Sequence, residues 1–316
     1  MSVADRDQGS AAAQLGSAGV VAEATSTRTP KVSVVLTTYK RAHLIRETID
    51  SILRQTLQDF ELVISDDCSP DETEAVCRAY ERSDARVRYR RGEKNLGMPG
   101  NLNAGILATC GEYVANLHDG DVYEPTLLER WAAALDAYPQ AAFVFNAYRA
   151  LDSAGHTVRV WEEPLGPCAP GRQLLEEIYF RRWRFNSPVW GTVMARRSAY
   201  LRAGLFDQRF GFISDVDMWM RLAEESDVAY ISEPLIGLPS RETVPRLWGG
   251  GERPVQKQAE RMFREARIRH YRNKPVRLIL ELTRHAAFVA AVRAFRGASR
   301  AKAALRRMGK THVDSR

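Results

Sequence analysis

The stretch Tyr113-Val-Ala-Asn-Leu-His-Asp-Gly-Asp121 is an apolar run that ends abruptly in two carboxylates. The apolar residues predict a buried strand, and Asp119 and Asp121 follow where that strand would leave the sheet. In open α/β sheets, ligands bind outside the carboxyl ends of the strands. Two close carboxylates repel each other unless a cation or hydrogen-bond donors stabilise them. The stretch therefore favours a Mg²⁺ or Mn²⁺ site, although a simple polar turn would also account for an isolated Asp-x-Asp.

Strand and helix patterns alternate on the N-terminal side of this stretch. Short runs of β-branched and other apolar residues predict strands over residues 32–36, 60–64 and 87–89. Apolar residues at helical spacing follow the first two runs, over residues 44–53 and 76–80. This alternation indicates an α/β fold with a mixed, mostly parallel sheet flanked by helices.

The rest of the chain gives weaker signals. Residues 95–101 are rich in Gly, Pro and Asn, which indicates a loop. The sequence further predicts a hairpin over residues 142–161, a strand over residues 189–194 and a helix that begins near residue 213. Beyond Pro254 the pattern is helical and basic.

Three segments follow from this pattern. Residues 1–29 lack the basic start and apolar core of a signal peptide, and we expect a disordered leader there. Residues 30–251 are expected to form one large α/β domain. Residues 252–316 are expected to form a basic helical extension.

Charge is unevenly distributed along the 316 residues. The net charge is +7, but residues 252–316 contain 18 Lys/Arg and 5 Asp/Glu, a surplus of +13, so the preceding residues carry −6. Because basic and apolar residues interleave over residues 253–310, that segment suits an anionic membrane surface. A solvated basic face packed against the acidic domain remains the alternative. No nucleic acid partner is expected, since no recognised binding motif accompanies the charge.

Cysteine usage and hydropathy limit the class of protein further. The four cysteines are Cys68, Cys77, Cys110 and Cys168. They show no Cys-x-x-Cys spacing, which argues against zinc and favours reduced thiols in a cytoplasmic protein. The most apolar late stretch, residues 278–295, is interrupted by charged residues and does not predict a membrane span. We therefore expect a cytoplasmic location, with peripheral binding to the inner membrane face left open by the basic segment.

Three predicted strands end in polar turns, at residues 37–39, 66–67 and 119–121. In a parallel sheet all three turns open on the same edge and can form one pocket. Tyr39 would then flank a base, and Asp66 or Asp67 would accept hydrogen bonds from a base or a ribose. The two aspartates also suit the start of a helix, and both interpretations can hold together.

Phosphate-binding glycine motifs are absent from the sequence. No Gly-x-Gly-x-x-Gly follows a predicted strand, and the full Walker-type motif Gly-x-x-x-x-Gly-Lys-Ser/Thr does not occur. A backbone cradle for phosphate is therefore not expected, which argues against dehydrogenases and P-loop ATPases. Phosphate would instead be neutralised by a cation and by basic side chains.

Five ordered blocks of this sequence resemble glycosyltransferase family 2, whose members have the GT-A fold. The blocks are residues 32–41, 62–73, 95–105, 111–121 and 212–221. The resemblance implies an inverting transferase that moves a sugar from a nucleoside-diphosphate sugar to an acceptor hydroxyl on a glycan, a lipid-linked molecule or a small molecule. It also implies that residues 30–123 form the nucleotide-sugar-binding half of the domain and residues 124–251 the acceptor-binding half. Acceptor specificity is expected in residues 164–187 and 241–251.

The same resemblance implies roles for individual residues. The donor-binding positions it implies are Thr37, Tyr39, Asp66, Asp67, Asn95, Asn101 and Asp119. Asp121 matches the metal-binding carboxylate of the family, with Asp119 beside it, so that a Mn²⁺ or Mg²⁺ ion would neutralise the donor diphosphate. Asp215 matches the catalytic base, which would remove the proton of the acceptor hydroxyl in a single displacement. Asp215 and Asp217 also suit a charged helix start.

This sequence departs from the family pattern at several positions. Members often have Asp-x-Asp-Asp where this chain has His118-Asp-Gly-Asp121, so that His118 and Gly120 replace two carboxylates. His118 can supply a nitrogen ligand or act only as a hydrogen-bonding partner. Ser214 replaces the usual Glu before the base, and a downstream His has no clear counterpart near residues 240–243. A processive Gln-x-x-Arg-Trp motif is also absent, which favours single additions.

Two other functions remain open at this level. A catalytically degenerate domain that binds a nucleotide sugar or serves as a scaffold would explain the replaced carboxylates. A sugar-nucleotide pyrophosphorylase shares a similar core but would need a Gly-rich basic loop after the first strand, which residues 37–41 do not provide.

Overall fold

The computed structural model describes residues 29–178, 189, 191–239, 253–284, 286, 287 and 290. The strands are β1 (Val32–Thr38), β2 (Phe60–Asp66), β3 (Val87–Arg91), β4 (Tyr113–His118), β5 (Val122–Tyr123), β6 (Ala141–Leu151), β7 (Thr157–Trp161), β8 (Cys168–Ala169), β9 (Val193–Arg196) and β10 (Asp227–Pro239). The helices are α1 (Ile45–Leu53), α2 (Thr73–Ser83), α3 (Gly97–Leu107), α4 (Leu127–Ala137), α5 (Gly171–Glu176), α6 (Arg197–Ala203), α7 (Ser214–Glu225) and α8 (Arg253–Tyr271). Residues 208–213 form a 3₁₀ segment, and residues 275–284 are helical.

All ten strands of the described residues belong to one sheet, in the order β3-β2-β1-β4-β9-β6-β10-β5, with β7 beside β6 and β8 beside β10. Strands β3, β2, β1 and β4 pair in parallel, and β6 pairs in parallel with β10. β9 runs antiparallel to both β4 and β6, so the two parallel groups point in the same direction. The prediction of a mixed, mostly parallel sheet flanked by helices is therefore confirmed.

The register of the central strands brings the predicted polar turns together. Thr37 pairs with Ser65 of β2 on one side and with His118 of β4 on the other. Because the three strands are parallel and end at adjacent register positions, their following turns share one edge of the sheet. This confirms the arrangement that the sequence predicts for the turns.

Two hydrophobic clusters cover the two faces of this sheet. One contains Ile45, Ile49 and Ile52 of α1, whose helical spacing places all three against the strands. The other contains Trp219 of α7 and Met262 of α8. All five side chains are buried, and burial of each stabilises the fold by about 1.5–3 kcal/mol.

Several elements differ from the sequence-based prediction. The expected loop at residues 95–101 is helical from Gly97, where a positive φ of 74° opens α3. The strand expected at residues 189–194 is β9, which begins only at Val193. Strand β10 escaped prediction because Pro234 and polar neighbours interrupt its apolar pattern, and its pairing with β6 shifts register there.

The basic extension begins with a helix that packs on the domain. Ala259, Met262 and Ala266 of α8 join the cluster around α7, and Tyr271 is also buried. The prediction of a helix beyond Pro254 is confirmed. No helix within the described residues is long and apolar enough to cross a bilayer.

Some predictions fall outside the described residues. These are the leader except for its last residue, residues 179–188 and 240–252, which include much of the segments expected to contact an acceptor, and the part of the basic extension beyond residue 290.

Candidate active site

The acidic turn after β4 is fixed by glycine geometry and by a contact to α1. Gly120 has a φ of +90°, a conformation that residues with a Cβ rarely adopt. Its amide donates a hydrogen bond to Thr48 Oγ1 of α1 over 3.2 Å. Gly120 therefore allows Asp119 and Asp121 to follow the strand in a tight turn at the sheet edge.

Asp119 is balanced by groups of the first turn. Its Oδ2 accepts a hydrogen bond from Thr38 Oγ1 over 3.3 Å and lies 3.5 Å from Arg41 Nε. Burial raises the pKa of Asp119, while the charge of Arg41 and the Thr38 hydroxyl oppose that rise. Arg41 was not among the sequence-predicted site residues, although it closes the same block as Thr37 and Tyr39.

Asp121 has no comparable cation beside its carboxylate among the described residues. Its Oδ2 accepts a hydrogen bond from Thr192 Oγ1 over 3.2 Å, and no Lys or Arg of the described residues forms an ion pair with it. Although the residue keeps some exposure to solvent, the surrounding protein raises the pKa of Asp121 to about 8, and the nearby Asp119 charge adds to this rise. A bound cation would compensate the negative charge of Asp121 and lower its pKa.

The acidic turn offers a cation two carboxylates and not a complete cage. No group of three or more His, Cys, Asp or Glu side chains in the described part of the chain could hold a metal ion. Mg²⁺ and Mn²⁺ accept such partial sites when substrate phosphates and water supply the other oxygens. Asp119 and Asp121 therefore suit a cation that binds together with a diphosphate.

Asp215 reaches the same region from the N-terminal turn of α7. Its Oδ1 accepts a hydrogen bond from the Val216 amide over 2.8 Å, and burial raises the pKa of Asp215 to about 6. A Cβ at Gly191 would lie 3.4 Å from Asp215 Oδ2 and 3.3 Å from His118 Nε2. The carboxylate of α7 and the imidazole at the end of β4 therefore face each other across Gly191.

Gly191 is required at this crossing because of its size. The same Cβ would meet His118 Cε1 at 2.5 Å, a distance that real side chains do not allow. Asn116 Nδ2 of β4 donates to the Gly191 carbonyl over 2.8 Å and fixes the segment. Neither residue carries a motif, and only their contacts in the fold identify them.

His118 is therefore placed beside Asp215 and not within a metal-ligand cluster of the described residues. Burial lowers the pKa of His118 to about 4, so the ring is neutral near pH 7. The two roles that the sequence leaves open for His118, a metal ligand or a hydrogen-bonding partner, both stay predictions.

Other residues of the block that contains Asp215 are structural. Asp217 is buried and accepts a hydrogen bond from Arg221 Nε over 2.7 Å, while Arg269 of α8 lies 3.8 Å from it. Trp219 is fully buried between the strands and helices of the second cluster. Asp217 thus forms the charged helix start that the sequence predicts as an alternative.

The predicted nucleoside-binding residues lie at the ends of β1 and β2. The Asp67 amide donates to the Thr38 carbonyl over 3.0 Å, which joins the two turns. Asp67 Oδ1 accepts from the Leu96 amide over 2.7 Å, and Asn95 Nδ2 donates to the Asp67 carbonyl over 3.2 Å. Tyr39 is 41% exposed, as required of a ring that flanks a ligand base. Thr37 is half-buried one residue before this junction.

Asp66 and Asn101 are engaged within the protein. Asp66 is fully buried, with Oδ1 accepting from the Ser69 amide and hydroxyl and Oδ2 accepting from the Tyr89 hydroxyl over 2.7 Å. Asn101 exchanges hydrogen bonds with Ser65, whose hydroxyl and carbonyl it contacts at 2.7 Å. The structure therefore brings these two residues beneath the pocket edge and not to its surface.

Comparisons with known sequences agree on one family. A sequence model of glycosyl transferase family 2 matches residues 33–206, more than half of the chain. The uncharacterized glycosyltransferase RT0329 of Rickettsia typhi is 27% identical over 247 residues, which are 74% of this chain and 75% of that protein. The Campylobacter jejuni protein named GalNAc(5)-diNAcBac-PP-undecaprenol beta-1,3-glucosyltransferase is 37% identical over 93 residues, which are 29% of this chain and 30% of that protein.

Solved structures show the same fold. Staphylococcus aureus TarS 1–349 in complex with UDP-GlcNAc superimposes with a TM-score of 0.60 at 19% identity and covers 75% of this chain. The chain spans 66% of that structure, just under two thirds. The mannosyltransferase PcManGT of Pyrobaculum calidifontis, in complex with GDP-Man and Mn²⁺, has a TM-score of 0.52 at 19% identity and covers 85% of this chain and 76% of its own. The fold is thus of the GT-A type, and the chain belongs to glycosyltransferase family 2.

Proposed function

We propose that this glycosyltransferase moves a sugar from a nucleoside-diphosphate sugar to an acceptor hydroxyl in one metal-assisted displacement with inversion. The observation that supports this most is the convergence of Asp215 on the end of β4, where the acidic turn begins. Among structural neighbours, TarS is recorded with UDP-GlcNAc and PcManGT with GDP-Man and Mn²⁺, which supports a donor of this chemical class.

The donor pocket we propose lies over the ends of β2, β1 and β4. Thr37, Tyr39 and Asp67 contact the nucleoside, and Asn95 holds the Asp67 backbone in place. Asp119 faces the ribose or the sugar. Asp66 and Asn101 shape the pocket from below through their internal hydrogen bonds. Residues 30–123 thus form the nucleotide-sugar-binding half, and residues 124–251 the acceptor-binding half.

Asp121, with Asp119 beside it, would hold the Mg²⁺ or Mn²⁺ ion. When bound, such a cation neutralises the diphosphate and makes it a better leaving group. Arg41 lies within reach of Asp119 and is half-exposed, so its guanidinium can pair with phosphate once the carboxylate binds the cation.

Asp215 is the proposed base. Because Oδ1 accepts the Val216 amide, Oδ2 is the atom free to take the proton of the acceptor hydroxyl as that oxygen attacks the anomeric carbon. A pKa of about 6 leaves the carboxylate ionised near pH 7 while keeping it a stronger base than an exposed aspartate. Attack from the face opposite the leaving diphosphate gives inversion.

The test is turnover of a panel of UDP- and GDP-sugars with and without Mn²⁺, measured as released nucleoside diphosphate. Asp215→Asn should lower kcat by about 10²–10⁴-fold because the base is lost. Donor binding, followed by thermal shift, should not change. A folded Asp215→Asn variant with full turnover would contradict the assignment, and donor binding without any turnover in the unmodified protein would favour a degenerate binding domain.

A membrane-binding surface is also proposed. The basic segment over residues 253–310 suits an anionic membrane at the cytoplasmic face, where a lipid-linked acceptor would be presented.

A further inference from the structure

We propose that one face of the helix at residues 275–284, named here the outer face and formed by Val276, Ile279 and Leu280, docks on an anionic lipid surface. The proposal rests on the membrane partner suggested above and narrows it to three apolar side chains and the cations beside them. Its test measures binding without turnover, so it can fail while the transferase function stands.

This helix is apolar on two opposite sides, and only one side is covered. Leu278 and Leu282 are half-buried, and Glu281 between them is 2% exposed, so this side faces the protein. On the other side Val276 is 81% exposed, Ile279 66% and Leu280 48%.

The spacing of the outer face matters as much as its exposure. Positions i, i+3 and i+4 lie on one stripe of a helix, so the three side chains form a continuous patch. Isolated exposed apolar residues are common on protein surfaces, but a helix that is apolar on both sides normally has both covered. Within the described part of the chain nothing covers the outer face, which therefore indicates an apolar partner outside that part.

The preceding helix does not offer such a surface. The apolar residues Ala259, Met262 and Ala266 of α8 are buried against the domain. Ile268 is 43% exposed, but no other large apolar side chain described in α8 is exposed beside it. Two of its arginines are engaged, since Arg269 pairs with Glu224 and Arg261 with Glu265, each at 2.7 Å. The proposed lipid contact is therefore placed on the outer face and not on α8.

Cations surround the outer face. Arg272, Lys274, Arg277 and Arg284 are all exposed. The acidic residue of this helix, Glu281, is buried and receives a hydrogen bond from Arg284 Nη1 over 3.0 Å. Residues 285–316 add eight Lys or Arg and a single Asp to the sequence that follows.

This combination identifies the partner by its chemistry. The apolar patch requires a hydrocarbon environment, and the cations beside it require anions. A leaflet with anionic head groups provides both within a few ångströms, and each basic residue near such a surface raises partition by about fivefold. A second copy docked through the same face would place the two sets of cations against each other, which disfavours a symmetric dimer.

Vesicle co-sedimentation of the full chain tests the proposal. Vesicles of phosphatidylglycerol and phosphatidylcholine should sediment the protein, and vesicles of phosphatidylcholine alone should do so at least about tenfold less. The triple substitution Val276→Ser, Ile279→Ser and Leu280→Ser should lower binding to the anionic vesicles by about tenfold or more, because exposed apolar area is lost. The double substitution Arg272→Gln and Lys274→Gln should lower binding to the anionic vesicles by a similar factor at low salt. At high salt it should have no effect, because the charges are then screened.

A matched control uses another exposed apolar pair. Val158 and Val160 of β7 are 58% and 42% exposed, and their replacement by Ser should leave vesicle binding unchanged. Melting temperature and donor turnover check that each variant is folded, and Ile279→Ser alone is the fallback if the triple variant unfolds. Equal binding to neutral vesicles, or unchanged binding of the folded variant, would overturn the proposal. A concentration-dependent dimer that the triple substitution abolishes, without vesicle binding, would also overturn it and assign the face to a second copy.

Discussion

The ends of β2 and β4 both carry pairs of acidic residues, but the protein treats the two ends differently. At the end of β2, Asp66 has both oxygens satisfied by Ser69 and Tyr89. At the end of β4, Asp121 has one hydroxyl contact and no cationic partner among the described residues. Asp66 is therefore satisfied without a ligand, whereas the charge of Asp121 is left without a partner that a bound cation would provide. Acidic residues that follow two strands of one sheet thus take a supporting role or a proposed ligand-binding role, according to whether the protein itself supplies their partners.

The largest effect on turnover is expected from the replacement of Asp121. Asp121→Asn should lower turnover by about 10²–10³-fold, since the cation on the diphosphate loses its ligand. Its melting temperature in the absence of donor should stay the same near pH 7, where a carboxyl group with a pKa of about 8 is mostly protonated, and should rise at higher pH, where an uncompensated charge is removed. Nucleoside diphosphate release and a thermal melt measure the two quantities. A variant with full Mn²⁺-dependent turnover would remove Asp121 from the site.

The opposite outcome is expected at the end of β2. Asp66→Ala should lower the free energy of unfolding by about 2–3 kcal/mol, because buried donors of Ser69 and Tyr89 lose their acceptor. Tyr89→Phe, which removes a single hydrogen bond, should cost about 1 kcal/mol. Denaturant melts measure both. If Asp66→Ala were as stable as the unmodified protein but unable to bind donor, the difference between the two ends would disappear.

Gly191 tests whether the crossing between Asp215 and His118 is as tight as the structure shows. Gly191→Ala should lower kcat/KM by about tenfold or more, because the new Cβ displaces His118 and Asp215 from each other. Gly166→Ala is the matched control, since its Cβ would meet only the Cys168 carbonyl, at 3.9 Å. Steady-state kinetics on both variants, with melting temperatures, separate a local displacement from unfolding. Equal kinetics of the two variants would show that the site tolerates the added carbon.

Smaller effects are expected from pH. The folded-state pKa values of Asp215 and Asp121, about 6 and about 8, lie above the usual aspartate range. Between about pH 4 and these values the folded protein holds protons that the unfolded chain has released, so the free energy of unfolding should fall as pH rises through this window. Melts of the metal-free protein from pH 5 to pH 8 measure this slope, which Asp121→Asn should reduce. Turnover should instead rise with pH through about 6, as Asp215 ionises. A flat stability profile would show that neither Asp215 nor Asp121 holds an extra proton in the folded protein.

Much of the fold can be predicted from the sequence because its first half obeys local rules. The apolar runs that become β1, β2 and β4 are short, β-branched and followed by polar turns, and parallel pairing brings those turns together. Gly97 shows the limit of such rules: Gly and Pro indicate a loop, but a positive φ at one glycine is enough to begin α3. Pro234 hides β10 in the same way, since the register shift that accommodates it is a property of the pairing with β6.

The candidate site, like the fold, can be predicted only in part from the sequence. Asp121 and Asp215 are found through motifs, but their environment is not, because it depends on segments distant in the chain. The contact of Asp121 with Thr192 and the approach of Asp215 to His118 both pass through residues 191–192, which carry no recognisable pattern. Arg41 could have been found, since it is a cation within the turn that follows β1, but its pairing with Asp119 depends on the parallel register of β1 and β4.

Strand β9 has a mechanical consequence for how this enzyme can move. Strand β9 is hydrogen-bonded to β4 on one edge and to β6 on the other. It therefore connects the parallel group β3-β2-β1-β4 to the parallel pair β6-β10. A hinge motion between these two groups of strands would have to break one of the two ladders, which disfavours the closure that many two-lobed enzymes use. Substrates must then be admitted by segments outside the sheet.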